Sequence, residues 1–241
     1  NFTLRPASGV LSGSIIITDG ILFNVDATLL DFTVRNATGS GILVNDSNPK
    51  INRCTVENSS SATGAGININ NGKPLIENTR IRNCAATGNG GGIYMVNSSP
   101  VINTCTIGES GFSNSAGDDG GGIFIDNNSF PAITNSTVQY NTAVDDGGGI
   151  SYNGTGSNVT ITSSTIEYNA AADTGGGLRC NNSGQITVTG GAIQHNTAGN
   201  DGGGIWNDNK TLTVNTCTIN DNTAADAGGG VLKENGTVAL N

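Results

Sequence analysis

Charged and aromatic residues are scarce in this chain of 241 residues, at 12% and 5% of the sequence. Acidic residues outnumber basic ones, and the net charge of −9 excludes the basic footprint of a nucleic-acid-binding protein and disfavours an anionic membrane surface. No apolar run approaches the roughly 20 residues that cross a bilayer, so we expect no membrane insertion by this segment. The chain opens on Asn1 without a signal peptide, which we interpret as a mature chain or an excised fragment.

Cysteines are few, and their number is odd. No two of them form a Cys-x-x-Cys pair, which argues against a metal site and against a disulfide framework. We predict that they are small core residues. The five are Cys54, Cys84, Cys105, Cys180 and Cys217.

Glycine is abundant, with 37 residues, and much of it recurs in one phrase, as in Asp145-Asp146-Gly147-Gly148-Gly149-Ile150. Helical repeats and coiled coils do not tolerate three glycines in each unit. Successive glycines that precede an apolar residue are 25 to 30 residues apart, at Gly41, Gly66, Gly92, Gly122, Gly149, Gly177, Gly204 and Gly230.

Each unit contains three short β-branched segments that alternate apolar and polar residues and are bounded by Gly, Asn, Asp or Ser. This pattern predicts an all-β parallel β-helix, a solenoid of about eight coils with three short parallel sheets. We expect residues 36–241 to form the regular coils and residues 1–35 an irregular N-terminal coil. Inward ladders are predicted along each strand, for example Ile123, Ile150 and Leu178.

An asparagine recurs two or three residues after the third strand of most units. Asparagine tolerates the left-handed backbone and can bond its neighbour from coil to coil. We therefore predict an asparagine ladder at a bend, formed by Asn58, Asn83, Asn141, Asn169, Asn196 and Asn222.

The phrases Gly-Gly-Gly-Ile at 147–150 and 202–205, and Ile-x-x-Asn at 166–169, 193–196 and 219–222, support a family resemblance. They resemble the right-handed parallel β-helix superfamily to which pectate lyases belong, and are most similar to the repeats of polymorphic outer-membrane protein type surface proteins. The resemblance implies a right-handed β-helix at the cell surface or outside the cell. Enzymes of the superfamily mostly act on acidic polysaccharides from an outward sheet face.

Two groups of side chains are candidate ligand sites. Outward positions after the glycines include Tyr94, Phe124, Arg179 and Trp206, which could form a glycan site because an aromatic plate lies beside a bidentate carboxylate binder. Acids before the glycines hold equivalent places at Asp119, Asp146 and Asp201. Stacked carboxylates repel each other unless they are solvated or neutralised, so this column is a candidate calcium site or a wet turn.

A third group consists of outward threonines on the second strand of successive units, which resemble the ice-binding face of β-solenoid antifreeze proteins. Threonine also favours strands for its own sake, so the pattern is open to both interpretations. The residues are Thr160, Thr162, Thr187, Thr189 and Thr213.

Three functions stay open on the sequence. The leading one is a non-catalytic secreted or cell-surface rod, adhesin or passenger segment that requires no cofactor, with a surface glycan or a host or neighbouring protein as partner. Uncapped coils would also permit end-to-end self-association. The alternatives are an ice-binding β-solenoid and a polysaccharide lyase or hydrolase, for which no catalytic residues stand out.

Overall fold

The chain folds as a parallel β-solenoid, and the computed structural model describes residues 2–3, 15–208 and 210–241. Each coil passes through up to four short strands, and each strand pairs in parallel with its counterpart in the next coil. This confirms the predicted all-β solenoid of about eight coils. No helix among the described residues is long and apolar enough to cross a membrane.

The first sheet follows the glycines and has ten strands. They are β1 (Phe2–Thr3), β3 (Ile21–Phe23), β6 (Ile42–Asn45), β10 (Ile67–Asn70), β14 (Ile93–Val96), β18 (Ile123–Ile125), β22 (Ile150–Tyr152), β26 (Leu178–Cys180), β30 (Ile205–Asn207) and β34 (Val231–Lys233). The second sheet has nine: β4 (Thr28–Leu30), β7 (Lys50–Asn52), β11 (Leu75–Glu77), β15 (Val101–Asn103), β19 (Ala132–Thr134), β23 (Ser157–Thr162), β27 (Gly184–Thr189), β31 (Thr211–Asn215) and β35 (Thr237–Leu240).

The third sheet also has nine strands. They are β2 (Ile15–Ile17), β5 (Phe32–Arg35), β8 (Thr55–Glu57), β12 (Arg80–Arg82), β16 (Thr106–Ile107), β20 (Thr137–Gln139), β24 (Thr165–Glu167), β28 (Ala192–Gln194) and β32 (Thr218–Asn220). The described strands between residues 15 and 35 pair in register with the following coil, so regular pairing extends into the predicted irregular coil 1–35. Residues 1 and 4–14 of that prediction lie outside the described residues.

A fourth sheet of two-residue strands adds to the three that the sequence predicts. Its strands are β9 (Ser60–Ser61), β13 (Ala85–Ala86), β17 (Ser115–Ala116), β21 (Thr142–Ala143), β25 (Ala170–Ala171), β29 (Thr197–Ala198) and β33 (Thr223–Ala224). Its inward side chains are alanines such as Ala143 and Ala171, which are nearly buried. The sequence does not reveal this sheet because small and polar residues give no apolar signal.

The core is a narrow stack of aliphatic ladders. The predicted inward residues Ile123, Ile150 and Leu178 are fully buried and in register. At roughly 25 cal/mol per Å² of apolar surface removed from water, such ladders supply the main stabilisation of the fold. Four of the cysteines are buried free thiols, as predicted, and Cys217 is half-buried.

The three glycines at 147–149 have distinct steric roles. Gly147 adopts a left-handed φ of 64°. A side-chain carbon on Gly148 would lie 2.4 Å from the backbone of Ala170 in the next coil, and one on Gly149 would lie 2.5 Å from the Gly177 oxygen. The first glycine therefore makes the turn, and the other two let adjacent coils approach each other.

The asparagine ladder is present, but two of its predicted members are wrong. Asn141, Asn169 and Asn196 are buried, and each amide passes hydrogen bonds of 2.9 to 3.0 Å to the next. Asn114 begins this column and Asn222 continues it.

Asn58 and Asn83 instead lie outside the ladder, exposed, at left-handed bend positions with φ of 56° and 51°. Each of these asparagines follows the inward residue of its third strand by two positions, whereas a ladder residue follows it by three. The ladder positions of these two coils are therefore occupied by Ser59 and Cys84, which are buried. Ile81, for example, is the inward residue that Asn83 follows.

Candidate functional site

The predicted glycan residues form part of one outward column of the first sheet. Phe124 pairs with Ser151, Ser151 with Arg179, and Arg179 with Trp206 across four successive coils. Tyr94 precedes Phe124, and their rings stack with centroids 5.6 Å apart. The structure therefore brings all four predicted residues onto one face.

This outward column is nevertheless largely covered. Phe124 is 2% exposed and Trp206 is 7% exposed. The glycine corner approaches the base of both side chains, since a side-chain carbon added at Gly202 would lie 2.6 Å from the Trp206 Cβ and one at Gly120 would lie 2.9 Å from the Phe124 Cβ. The rings thus present little area to a sugar, a feature that strand alternation alone does not reveal.

Arg179 is the charged centre of this face and is held by two aspartates from preceding coils. Its Nη1 lies 2.9 Å from Asp119 Oδ2, and its Nη2 lies 2.8 Å from Asp146 Oδ2. All three side chains are at most 12% exposed. The Trp206 ring lies beyond the guanidinium, 5.5 Å from the carbon that joins its nitrogens. We name Asp119, Asp146 and Arg179 the arginine clamp.

The electrostatics of the clamp are dominated by burial. Removal from water raises the pKa of Asp119 to about 6, against the opposing effect of the nearby Arg179, and the charge of Asp146 adds to the rise. The same causes raise the pKa of the neighbouring Asp145, where burial again contributes most. Two carboxylates around one guanidinium leave a net negative charge within the clamp.

The acidic column has a backbone role as well. Asp119 Oδ1 accepts the backbone N–H of Asp146 at 3.1 Å, and Asp146 Oδ1 accepts that of Thr174 at 2.8 Å. Asp201 does the same for Ala227 at 2.9 Å. Each acid therefore caps a turn of the next coil, in keeping with the turn interpretation of these residues.

The three predicted calcium ligands do not meet at one point. Asp119 and Asp146 are adjacent, but Thr174 occupies the column between Asp146 and Asp201. The carboxylates that do cluster, with oxygens within 4.8 Å of one another, belong to Asp118, Asp119 and Asp145, and to Asp145, Asp146 and Asp173. The positive charge that contacts Asp119 and Asp146 belongs to the Arg179 guanidinium.

The predicted threonine array is in register. Thr160 pairs with Thr187 and Thr187 with Thr213, while Thr162 pairs with Thr189 in the parallel column. Thr160 and Thr162 are exposed and the other three are partly exposed. The array therefore forms a small, flat, uncharged patch on the second sheet.

A buried lysine is a polar feature that the sequence did not reveal. Lys210 is fully buried, and its Nζ donates to the carbonyls of Gly154 and Ser183 at 2.8 and 2.6 Å. It also lies 3.5 Å from the centroid of the Tyr152 ring. Burial lowers the pKa of Lys210 to about 7. Nothing in the local sequence distinguishes it from a solvated loop lysine.

A row of three stacked rings is a second feature that the sequence did not reveal. The rings of Tyr140, Tyr168 and His195 stack one above another at the bend between the third and fourth sheets, with centroid separations of 4.9 and 4.8 Å. In the sequence, His195 follows Ile193 by two residues, as each tyrosine follows the inward residue of its own third strand, and this shared position predicts a surface bend. The left-handed φ of 54° at His195 agrees with that bend.

A family model described as a right handed beta helix region matches residues 19–193 of the chain. The chain belongs to the right-handed β-helix family. The match confirms the handedness expected from the repeat phrases, and it covers the arginine clamp and most of the described coils. No curated protein and no solved structure matches the chain. Membership fixes the fold, and the function has to be argued from the side chains.

Proposed function

We propose that this right-handed β-helix is a non-catalytic rod or adhesin segment of a secreted or cell-surface protein. One observation carries the proposal: the charged centre of the first sheet's outward face is engaged in the arginine clamp. Arg179 is bonded to Asp119 and Asp146, and it packs against Trp206. A substrate would have to displace two buried ion pairs to reach it, which costs several kcal/mol.

The clamp instead suits a role in holding coils together. Arg179 reaches across two coils, so the three members tie three successive glycine corners. Breaking a buried ion pair by removing one partner typically destabilises a protein by about 3 to 5 kcal/mol, because it leaves an uncompensated charge. The proposal therefore assigns this column to stability and leaves the exposed faces for display.

The test compares Arg179→Ala with Arg53→Ala. Arg53 also pairs with an aspartate, Asp31, but on the exposed surface, where solvent screening leaves such pairs with little effect on stability. We expect Arg179→Ala to lower the melting temperature by several degrees and Arg53→Ala to leave it nearly unchanged. Equal melting temperatures for Arg179→Ala and the unmutated chain would contradict the structural assignment of the clamp.

A second candidate function, ice binding, is favoured by the register of the threonine array. Thr160, Thr187 and Thr213 form an unbroken column, with Thr162 and Thr189 beside it. The array spans only three coils, because Ala132 and Ala239 occupy the flanking rungs of the main column. A rod with a small ice-binding patch is therefore the alternative proposal.

Thermal hysteresis separates this alternative from the leading proposal. If the patch binds ice, Thr187→Tyr should abolish hysteresis, whereas Thr137→Tyr on the third sheet should not. The leading proposal predicts no hysteresis for the unmutated chain at any concentration. Hysteresis that survives Thr187→Tyr would exclude the array as its source.

Calcium is not required by this proposal. The clamp carboxylates already receive a guanidinium and backbone N–H groups, so we expect a chelator to leave the melting temperature unchanged. A fall of several degrees with chelator, restored by calcium and absent in Asp145→Asn, would establish a structural cation site. Asp145 is chosen because it belongs to both carboxylate clusters.

A further inference from the structure

The aromatic row at the bend between the third and fourth sheets is exposed in spite of its stacking. The ring planes of Tyr140 and Tyr168 are within 6° of parallel, and those of Tyr168 and His195 within 11°. Tyr168 remains 43% exposed although a ring lies on each side of it. Its outer edge and phenol group therefore face solvent.

The backbone at this row is unusual for aromatic residues. Tyr140, Tyr168 and His195 have left-handed φ values of 54°, 53° and 54°. The same bend position in other coils is occupied by Asn58 and Asp221, types that tolerate this conformation. For a bulky residue the left-handed backbone is strained, and strain of this kind is typically retained at functional sites.

Stacking offsets this strain at Tyr168, since aromatic pairs are stabilising beyond the area they bury and Tyr168 takes part in two of them. It does not explain why aromatics are used, because asparagine and aspartate meet the backbone requirement more easily at this bend in other coils. Because stacking and backbone strain oppose each other, folding alone gives little net preference for Tyr168 at this position. A role for the row on the protein surface gives a reason for aromatic residues at this position.

The residues beside the row define the chemistry of its partner. On the third sheet it is flanked by Gln139, Glu167 and Gln194, and the Gln194 amide donates to Glu167 at 2.9 Å. On the fourth sheet it is flanked by the exposed hydroxyls of Thr142 and Thr197. Amide and carboxylate groups therefore lie along one side of the aromatic strip, and hydroxyl groups lie along the other side except at Ala170. Such a surface offers many donors and acceptors beside apolar edges.

We propose that this strip, Tyr140, Tyr168 and His195, binds a neutral polysaccharide that lies along the rod axis. Sugar hydroxyls pair with both donors and acceptors, and the exposed ring edges contact the apolar parts of the sugar. A uronate polymer fits poorly, because Glu167 lies beside the strip and the whole chain carries a net charge of −9. The inference rests on the proposed non-catalytic display role, in that the glycan is held and not cleaved.

The test uses Tyr168→Asn, which installs a residue that this bend accepts elsewhere in the chain. We expect about a tenfold or greater loss of binding to a soluble β-glucan, chitin or cellulose, with a melting temperature that is unchanged or raised. Tyr168→Phe keeps the stack and should reduce binding only a few-fold. Phe130→Asn removes an aromatic residue that is 45% exposed outside the strip and should leave binding unchanged.

Binding is measured by pull-down on the insoluble glycans and by affinity electrophoresis with the soluble one, with polygalacturonate as the charged comparator. Absence of binding to all neutral glycans, or binding that Tyr168→Asn leaves unchanged, would overturn the inference. Tighter binding to polygalacturonate would overturn the neutral class. Cleavage of a bound glycan would contradict the proposed non-catalytic function and leave the strip as its binding site.

Discussion

Replacement of Asn169 by alanine is the sharpest perturbation of the buried asparagine ladder. The side chain is 1% exposed and makes four hydrogen bonds. Its Oδ1 accepts the backbone N–H and the amide N–H of Asn141 at 3.0 and 2.9 Å. Its Nδ2 donates to the Val138 carbonyl at 2.9 Å and to Asn196 Oδ1 at 3.0 Å.

The magnitude follows from the groups that lose a partner. Asn169→Ala removes the acceptor of the buried Asn141 backbone N–H and the side-chain donor to the Val138 carbonyl. Each buried group left unpaired costs about 1 to 3 kcal/mol, so we expect a destabilisation of about 2 to 6 kcal/mol. The ladder continues through Asn196, so the loss should spread to the adjacent coils.

The assay is urea unfolding followed by circular dichroism, with Asn83→Gly as the control. Asn83 is exposed, its side chain bonds to Asn58 alone among the described residues, and glycine accepts its left-handed φ of 51°. This control should change the unfolding free energy by only a few tenths of a kcal/mol. A cost for Asn169→Ala as small as that of the control would refute the assignment of the ladder as a stabilising element.

Asn169→Asp provides a second arm of the same test. A carboxylate can still accept from Asn141, but it cannot donate to the Val138 carbonyl or to Asn196. Protonation restores one donor, so this variant should become more stable relative to Asn169→Ala as the pH falls. Parallel pH profiles for the two variants would contradict the hydrogen-bond directions described above.

Three further predictions concern the clamp, the buried lysine and the glycine corner. The pKa of Asp119 is raised in the folded state, so its contribution to stability is full below its unfolded pKa and is lost as the pH rises through about 6. Asp119→Asn should therefore remove that part of the pH dependence of the urea midpoint between pH 4 and 7. An unchanged pH profile in this variant would contradict the prediction. The pKa of Lys210 is lowered in the folded state, so its contribution to stability is lost as the pH falls through about 7. The melting temperature of the unmutated chain should therefore drop from pH 9 to pH 6, and that of Lys210→Met should drop less. Equal drops in the two proteins would count against a buried amine. Gly148→Ala should cost at least about 3 kcal/mol, since its side chain would lie 2.4 Å from the Ala170 backbone, whereas Gly39→Ala meets nothing within 4 Å and should be tolerated in the same urea titration.

Sequence periodicity predicted the solenoid because burial forces alternation. Ile150 and Ile166 follow the inward rows, and their burial agrees with the prediction. Sequence periodicity did not predict the fourth sheet, because its strands are two residues long and its inward residues are alanines such as Ala171. The error at Asn83 arose from one residue of spacing, which moves a side chain from the buried ladder to the exposed bend.

The candidate sites were harder to predict because they depend on how loops return over the strands. Alternation placed Trp206 on the outward face, but it could not show that this outward residue is only 7% exposed. The pairing of Arg179 with Asp119 joins residues 60 positions apart and two coils away. Side chains that reach across coils leave no local pattern, and Lys210 is a further example because it reaches Gly154 through the core.

The central claim is that the charged column of the first sheet stabilises the rod and performs no catalysis. The most direct measurement is product release by the unmutated chain from a panel of acidic and neutral polysaccharides, followed as new reducing ends and as unsaturated sugar products. The account predicts no release above a heat-denatured control. Release from any of these polysaccharides that is abolished by Arg179→Ala, in a variant shown by circular dichroism to be folded, would contradict it.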